Sequence, residues 1–259
     1  MQRVLVELWK FRALVEALVK RHVATRYRGS FFGFLWSLLN PLCLMAVYTL
    51  VFHYYMRFDG GKAYHVMVFA GLLPWLWTAS ALSEGTSAIA GSGHLITKSM
   101  FPAHVLPFVS VASTLVNFVL ALPVLALFIL AAGLTIPVTW CALPLVVLVH
   151  GVLLFGLVLG LSALNVFFRD VQHIVSNLLT FLFFLCPVVY PASVVPDRFK
   201  FLLTCNPFAL LTTMYQGILI HGELPTVESM VFLISISALI ALVGAMIHDL
   251  FRERFAEAL

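Results

Sequence analysis

Charge is what this sequence has least of. Its 259 residues hold 15 Lys and Arg and 11 Asp and Glu, a charged fraction of 10% against 62% hydrophobic. A soluble domain carries about a quarter of its residues charged. A chain of this length with a mean hydropathy of +1.05 therefore needs lipid as the solvent for most of its surface. Cysteine is scarce too: Cys43, Cys141, Cys186 and Cys205 show no paired spacing, which argues against a disulfide framework or a thiolate metal site. Nine histidines are scattered without an HExxH or Cys/His cluster, so a zinc centre is not expected. Acidic side chains are nearly missing from the apolar runs, where Glu84 is the only one well inside, and neither carboxylate catalysis nor a proton relay has the groups it requires. The segment GSGHLITKS at 91–99 is no phosphate loop, because Thr97 rather than glycine precedes Lys98. No ATPase site, and so no enzyme, is expected in this chain. A cleavable leader is not expected, because Glu7, Lys10, Arg12, Glu16, Lys20 and Arg21 interrupt any apolar core in the first residues.

What is present is a series of long apolar runs. Crossing about 30 Å of hydrocarbon takes about 20 helical residues. Six runs meet that length, at 31–56, 64–90, 105–133, 140–168, 171–190 and 227–247. The fold expected is an all-α integral membrane domain occupying 1–259. An even count puts both termini on one side. Lys and Arg are retained on the cytoplasmic side. Arg3, Lys10, Arg12, Lys20, Arg21, Arg26, Arg28, Lys98, Arg169, Arg252 and Arg254, 11 of the 15, fall on the side of the termini, which is therefore expected to be cytoplasmic.

Residues 1–29 predict an amphipathic interfacial helix, since Val4, Leu8, Phe11, Val15, Leu18 and His22 recur at spacings of three and four. Between the second and third runs, the segment 91–104 interleaves Leu95, Ile96, Met100 and Phe101 with His94, Lys98 and His104. That pattern suits a short helix docking on a cytoplasmic partner. After the fifth run, Pro187, Pro191 and Pro196 interrupt the chain, and 191–226 is too apolar for a free loop. Two short helices, at 197–204 and 207–221, are expected to be re-entrant or interfacial and to form an outer lid, since non-helical backbone at membrane depth must be buried in protein or line a cavity. Glu84, among Ser80, Ser83, Thr86 and Ser87, is expected to hydrogen-bond to neighbouring helices.

The segments RYRGSFFGFLWSLLNPL, GLLPWLWTASALSEGTSAI, KSMFPAHVLP, NVFFRDV, PVVYPASVVP and NPFALL occur in an order that resembles the permease subunit of ABC-2-type polysaccharide exporters, which move O-antigen, capsule and teichoic-acid chains. The resemblance runs through nearly the whole chain, to the closing FRERFAEAL. It implies a homodimer of six-span permeases in the inner membrane, joined to two copies of a separate ATP-binding subunit that holds ATP and Mg2+. It also implies that the ATPase contacts are made by the basic segment with Arg26 and Arg28, and by His94, Leu95, Lys98, Phe101 and Pro102. The region 191–226 matches the family's extracytoplasmic gate, and Arg169 and Asp170 lie at the cytoplasmic end of the fourth span. A lipid-linked glycan, O-antigen-like as the closest resemblance, is too long to enclose and has to be threaded between two copies. Aromatic rings suit the apolar faces of sugars. Phe34, Trp36, Tyr48, Phe52, Tyr55, Phe181, Phe184 and Tyr190, in the first and fifth spans, are the expected lining. Two alternatives share part of this pattern. A drug or small-lipid exporter of ABC-2 architecture has the same topology, and a stand-alone secondary carrier would need charged or broken midplane spans and an inverted repeat, which the sequence lacks.

Overall fold

The computed structural model describes residues 2–57, 63–98 and 101–259, with the side chains of 2–5, 27, 34, 96–98 and 256 left outside the description. Lys62, Ser99 and Met100, and the side chains of Arg3, Phe34, Ile96 and Lys98, thus lie outside the described residues. Among the described residues all regular secondary structure is helical, with no strand. Helices α1 (Gln2–Lys10) and α2 (Arg12–Tyr27) are separated by a break at Phe11. Five longer segments have the length and apolarity to cross a membrane: Trp36–Tyr55, Tyr64–Thr86, Val105–Ala131, Val138–Phe167 and Val227–Arg254.

The first of these joins α3 (Trp36–Tyr48) to a wider π-helical stretch, Thr49–Tyr55. It is thinly held, with only Ser37, Pro41 and Met45 of α3 buried. Helix α4 (Tyr64–Thr86) is its opposite, buried from Tyr64 and Val66 to Gly85 and Thr86, and it packs on α3 and every large helix around it. It ends at Thr86, short of the expected 90, in turns that lead to α5 (Gly93–Lys98). Helix α6 (Val105–Ala131) follows, then α7 (Leu143–Phe167) after a 3-10 turn at Val138–Ala142.

The fifth expected span is the main difference. Residues 171–190 read as one apolar run, but α8 (Asp170–Leu185) has 16 residues, about 24 Å at 1.5 Å per residue. Pro187 has no amide hydrogen and disfavours helical geometry in the residue before it. Cys186 accordingly turns to extended backbone, and Cys186, Pro187, Val188 and Val189 run as a buried strap. Its carbonyls are satisfied from elsewhere: Gln216 Nε2 donates to Pro187 at 3.1 Å, and the Tyr64 hydroxyl donates to Val189.

Short helix α9 (Phe201–Cys205) leads to α10 (Pro207–Gln216). Asn206 caps α10 by accepting from the Phe208 amide at 3.0 Å, with Pro207 at the first helical position, where its missing N–H costs nothing. Ala209, Leu211, Thr212, Met214, Tyr215 and Gln216 are buried. A π turn, Gly217–His221, then ends at Gly222, whose φ of +69° is the left-handed conformation of a helix terminator. Thr139 Oγ1 and Trp140 Nε1 donate to the Ile218 and Leu219 carbonyls at 2.7 and 3.1 Å, so the end of this helical stretch is tied to the turn before α7.

Helix α11 (Val227–Phe251) packs along α7 more extensively than any other pair, and α12 (Phe255–Ala258) closes the chain. Small residues make the α7–α11 contact: a Cβ at Gly156 would meet the Ala241 backbone, and one at Gly244 would meet the Gly156 carbonyl. With lipid on the outside there is little hydrophobic drive between helices, and close backbone approach supplies the packing instead.

The N-terminal pair carries its apolar stripe onto the bundle. Leu8, Val15, Leu18 and Val19 pack with Val105, Val109, Phe155, Leu159 and Ala245, so the side of the helix expected to meet lipid is covered by α6, α7 and α11.

Candidate transport groove and its basic end

Helices α3, α4 and α8 enclose a groove of about 340 Å³. Leu44 and Tyr48 come from α3, Leu72, Trp75, Leu76, Ala79 and Ser83 from α4, and Ser176, Leu179, Thr180, Phe183 and Phe184 from α8. Its aromatic floor is continuous: the Phe183 ring lies 5.3 Å from Tyr48, 5.6 Å from Trp75 and 5.2 Å from Phe184.

Helix α8 explains why the groove is more than a packing defect. Val175, Leu179 and Phe183 are buried against the bundle. Ile174, Leu178, Phe181 and Leu185 form an exposed apolar stripe. A third face carries His173, Ser176, Asn177 and Thr180, all exposed. Polar side chains turned to hydrocarbon lose their water partners without replacement, so such a stripe belongs against water or protein. Aromatic rings beside hydroxyls and amides form a surface that can slide along a polyol, apolar on the ring faces and hydrogen-bonding between them.

The expected lining residues separate on this geometry. Tyr48 and Phe184 line the groove, and Phe52 stacks edge-on to Tyr48 with centroids 6.4 Å apart. The Tyr190 hydroxyl donates to the Phe184 carbonyl at 2.8 Å, steadying the end of α8 from just outside. Trp36 borders a different cavity, between α3, α4 and α6. Phe181 is 66% exposed on the apolar stripe of α8, and Tyr55 is exposed at the end of the π stretch. Sequence reasoning missed Trp75 and Phe183. Phe183 stood between the two phenylalanines that were chosen, and its spacing of four from Leu179 marks the inward face.

At the end of the bundle that holds the termini, Glu84 meets the N-terminal helix. The Arg26 guanidinium pairs with Glu84 Oε1, and His22 Nε2 lies 3.4 Å from Oε2. Its side chain thus pairs with Arg26 and His22 of α2 rather than with the hydroxyls beside it: Ser87 Oγ bonds the Glu84 backbone carbonyl and Thr86 Oγ1 the Leu82 carbonyl. Burial, and then the adjacent Arg26 charge, hold His22 below the ordinary histidine value of 6.5. A second tie joins Glu7 to His104, 3.5 Å apart.

The segment after α4 divides by residue. His94 is exposed and Leu95 half-buried, and both border a cleft of about 170 Å³ with Leu18, Arg21, His22 and Thr25 of α2. Phe101 packs on the α2–α6 cluster of this chain, and Pro102 lies beside it half-buried. Arg28 is exposed where α2 ends. Arg169 and Asp170 are both exposed at the α7–α8 turn, and among the described residues no ion pair joins them.

A deeper polar cluster was not anticipated. His150 of α7, 1% exposed, lies 2.9 Å through Nε2 from Thr78 Oγ1 of α4 and 3.3 Å through Nδ1 from the Tyr215 hydroxyl of α10. It pins α10 to the core. Nothing in the sequence marks His150 apart from its place in an otherwise apolar run.

Comparison with known proteins bears on the same features. The family model for the ABC-2 type transporter matches residues 13–220. The O-antigen export system permease protein RfbA of Myxococcus xanthus is 42% identical over 263 residues, covering 100% of both chains. A protein of the same name from Klebsiella pneumoniae is 29% identical over 247 residues, 95% of each. The polysialic acid transport protein KpsM of Escherichia coli is 23% identical over 247 residues, 92% of this chain and 93% of its own.

Proposed function

The chain belongs to the ABC-2 type transporter family, and from that premise we propose that it is the membrane subunit of an ATP-driven exporter of a lipid-linked polysaccharide, with O-antigen the best match. The relatives named for O-antigen and polysialic acid transport support the substrate class. The observation that carries the reading is the α3–α4–α8 groove, where Tyr48, Trp75, Phe183 and Phe184 stand beside the hydroxyls of Ser176 and Thr180. One copy leaves that groove and the polar face of α8 uncovered. A second copy facing it closes a conduit at a homodimer interface, and the threaded glycan passes between the two. The protein lies in the inner membrane with its termini cytoplasmic, and α8 with its buried strap completes the sixth crossing. A separate subunit, present in two copies, supplies ATP hydrolysis with Mg2+. Closure of those subunits acts on α2 and on the segment from His94 to Pro102, and the Arg26–Glu84 pair passes the motion to α4. A gate formed by α9 and α10 stands at the outer end.

The test is reconstitution of this chain with its ATP-binding subunit in nanodiscs, reading ATP turnover with and without lipid-linked O-antigen glycan. Stimulation by the glycan that is lost in a Tyr48→Ala, Phe183→Ala double variant is expected. If no ATP-binding subunit associates, or if turnover ignores the glycan and responds to small lipids or drugs, the reading fails.

A further inference from the structure

On the far side of α3 from the groove lies a cavity of about 390 Å³, enclosed by α3, α4 and α6 and reached by Arg26 at its basic end. The two concavities share one wall residue, Leu76. A space of this size has room for several waters or for a polar group of a ligand. Its character is unusual for its position. Five neutral polar side chains, Ser37, Asn40, Ser80, Thr114 and Asn117, converge on it between aromatic walls. Asn117 stands twelve residues into α6, about 18 Å along the axis from Val105. Thr114 Oγ1 is engaged with the Ser110 carbonyl at 3.0 Å, but among the described residues neither Asn40 nor Ser80 makes a side-chain hydrogen bond. A polar lining of this kind suits a ligand that brings polar groups of its own.

We infer that this cavity binds the phosphate-bearing head group of a membrane lipid, entering sideways between α3 and α6. Its floor is closed by buried Thr114 and Phe118, while Trp36 and Asn40 of α3 are exposed at its rim, and Val119 and Leu120 of α6 expose apolar side chains as a lipid-facing surface would. Arg26 gives the site its charge. A guanidinium has five N–H donors in a fixed fork and Glu84 occupies only one side of it, so the remaining donors can reach a phosphoryl oxygen while the ion pair stays intact. The hydroxyls and amides above it take the rest of the head group, and the aromatic walls take the first methylenes of the chains. A bulk anionic phospholipid and a polyprenyl-phosphate carrier share this chemistry. The inference stands on the cavity and does not require the export reading.

The experiment is native mass spectrometry of the full-length chain purified in detergent, with phosphatidylglycerol, a polyprenyl phosphate or diacylglycerol added as probe. One phosphate-bearing lipid retained per chain is expected, with retention weakened about tenfold, equivalent to about 1.4 kcal/mol, in Asn117→Leu and in Asn40→Leu. Asn40 lies at the exposed rim, so its variant decides the matter if Asn117→Leu does not fold. Stronger retention of polyprenyl phosphate assigns the site to the carrier, and stronger retention of phosphatidylglycerol assigns it to the bulk membrane. Equal retention by wild type and the Asn40→Leu variant, or retention of diacylglycerol as firmly as of the phosphate lipids, overturns the inference. Because the readout is binding rather than transport, its failure is distinct from failure of the exporter reading.

Discussion

Glu84 and its two basic neighbours concentrate much of the docking of α2 into three side chains. The acid and Arg26 are 30% and 26% exposed at their side chains, enough water to moderate the attraction but too little to screen it away. Replacing Glu84 with Gln keeps the size and one hydrogen bond and removes the charge. The expected cost is about 1 kcal/mol of α2 docking, within the range for pairs between exposed and buried. Hydrogen exchange should quicken across α2 while the centre of α4 stays protected, and unchanged exchange in α2 would refute it. His22 adds a pH dependence whose sign follows from its environment. Burial, then Arg26, lowers its docked value below 6.5, so the undocked helix binds a proton more readily than the docked one. Docking is therefore complete above about pH 6.5 and weakens as pH falls from there towards the lower docked value. A His22→Gln variant should lose that acid-side rise in α2 exchange; if it keeps it, another group is responsible. The exposed Lys20–Glu16 pair at 2.6 Å should contribute little to any of this.

Among the elements, α7 and α11 have the least freedom to change. A side chain larger than hydrogen at Gly156 must displace the Ala241 backbone, and overpacking of this kind typically costs about 1–3 kcal/mol. Gly156→Val is thus expected to lower the thermal midpoint of the purified protein by several degrees. Gly91→Val, at a position with open space around it, serves as the comparison that should leave the midpoint nearly unchanged. The same elements show how far the sequence could be read. Five of the long helical segments were legible because hydropathy reports side chains, and theirs are apolar over 20 residues or more. The 171–190 run was read as a full span for the same reason, although what ends α8 at Leu185 is the backbone chemistry of Pro187, which hydropathy does not weigh. Aromatic count located the groove only to the first and fifth spans. Phe181 and Phe183 sit about 200° apart on the helix, and only packing reveals which one faces inward. The partners of Glu84 were hidden by distance along the chain, since His22 is 62 residues away.

For the whole molecule, the three faces of α8 predict three environments. With the four native cysteines replaced, a cysteine at Thr180 should react with a membrane-impermeant, water-soluble thiol reagent during turnover, one at Leu178 should not, and one at Leu179 should react only on unfolding. Equal labelling at 178 and 180 would remove the case for a conduit on the α3–α4–α8 side. The seam between α7 and α11 bears on how such a conduit opens. Where main chains touch, there are no side-chain rotamers left to yield, so the two helices behave as one stiff beam. Compliance has to reside elsewhere, and α3 has the most of it, with three buried residues and a π stretch at its end. On the proposed function, a push delivered at α2 would be carried by a rigid mast and taken up by a single loose stave, which would make the width of the passage a property of one helix rather than of the bundle.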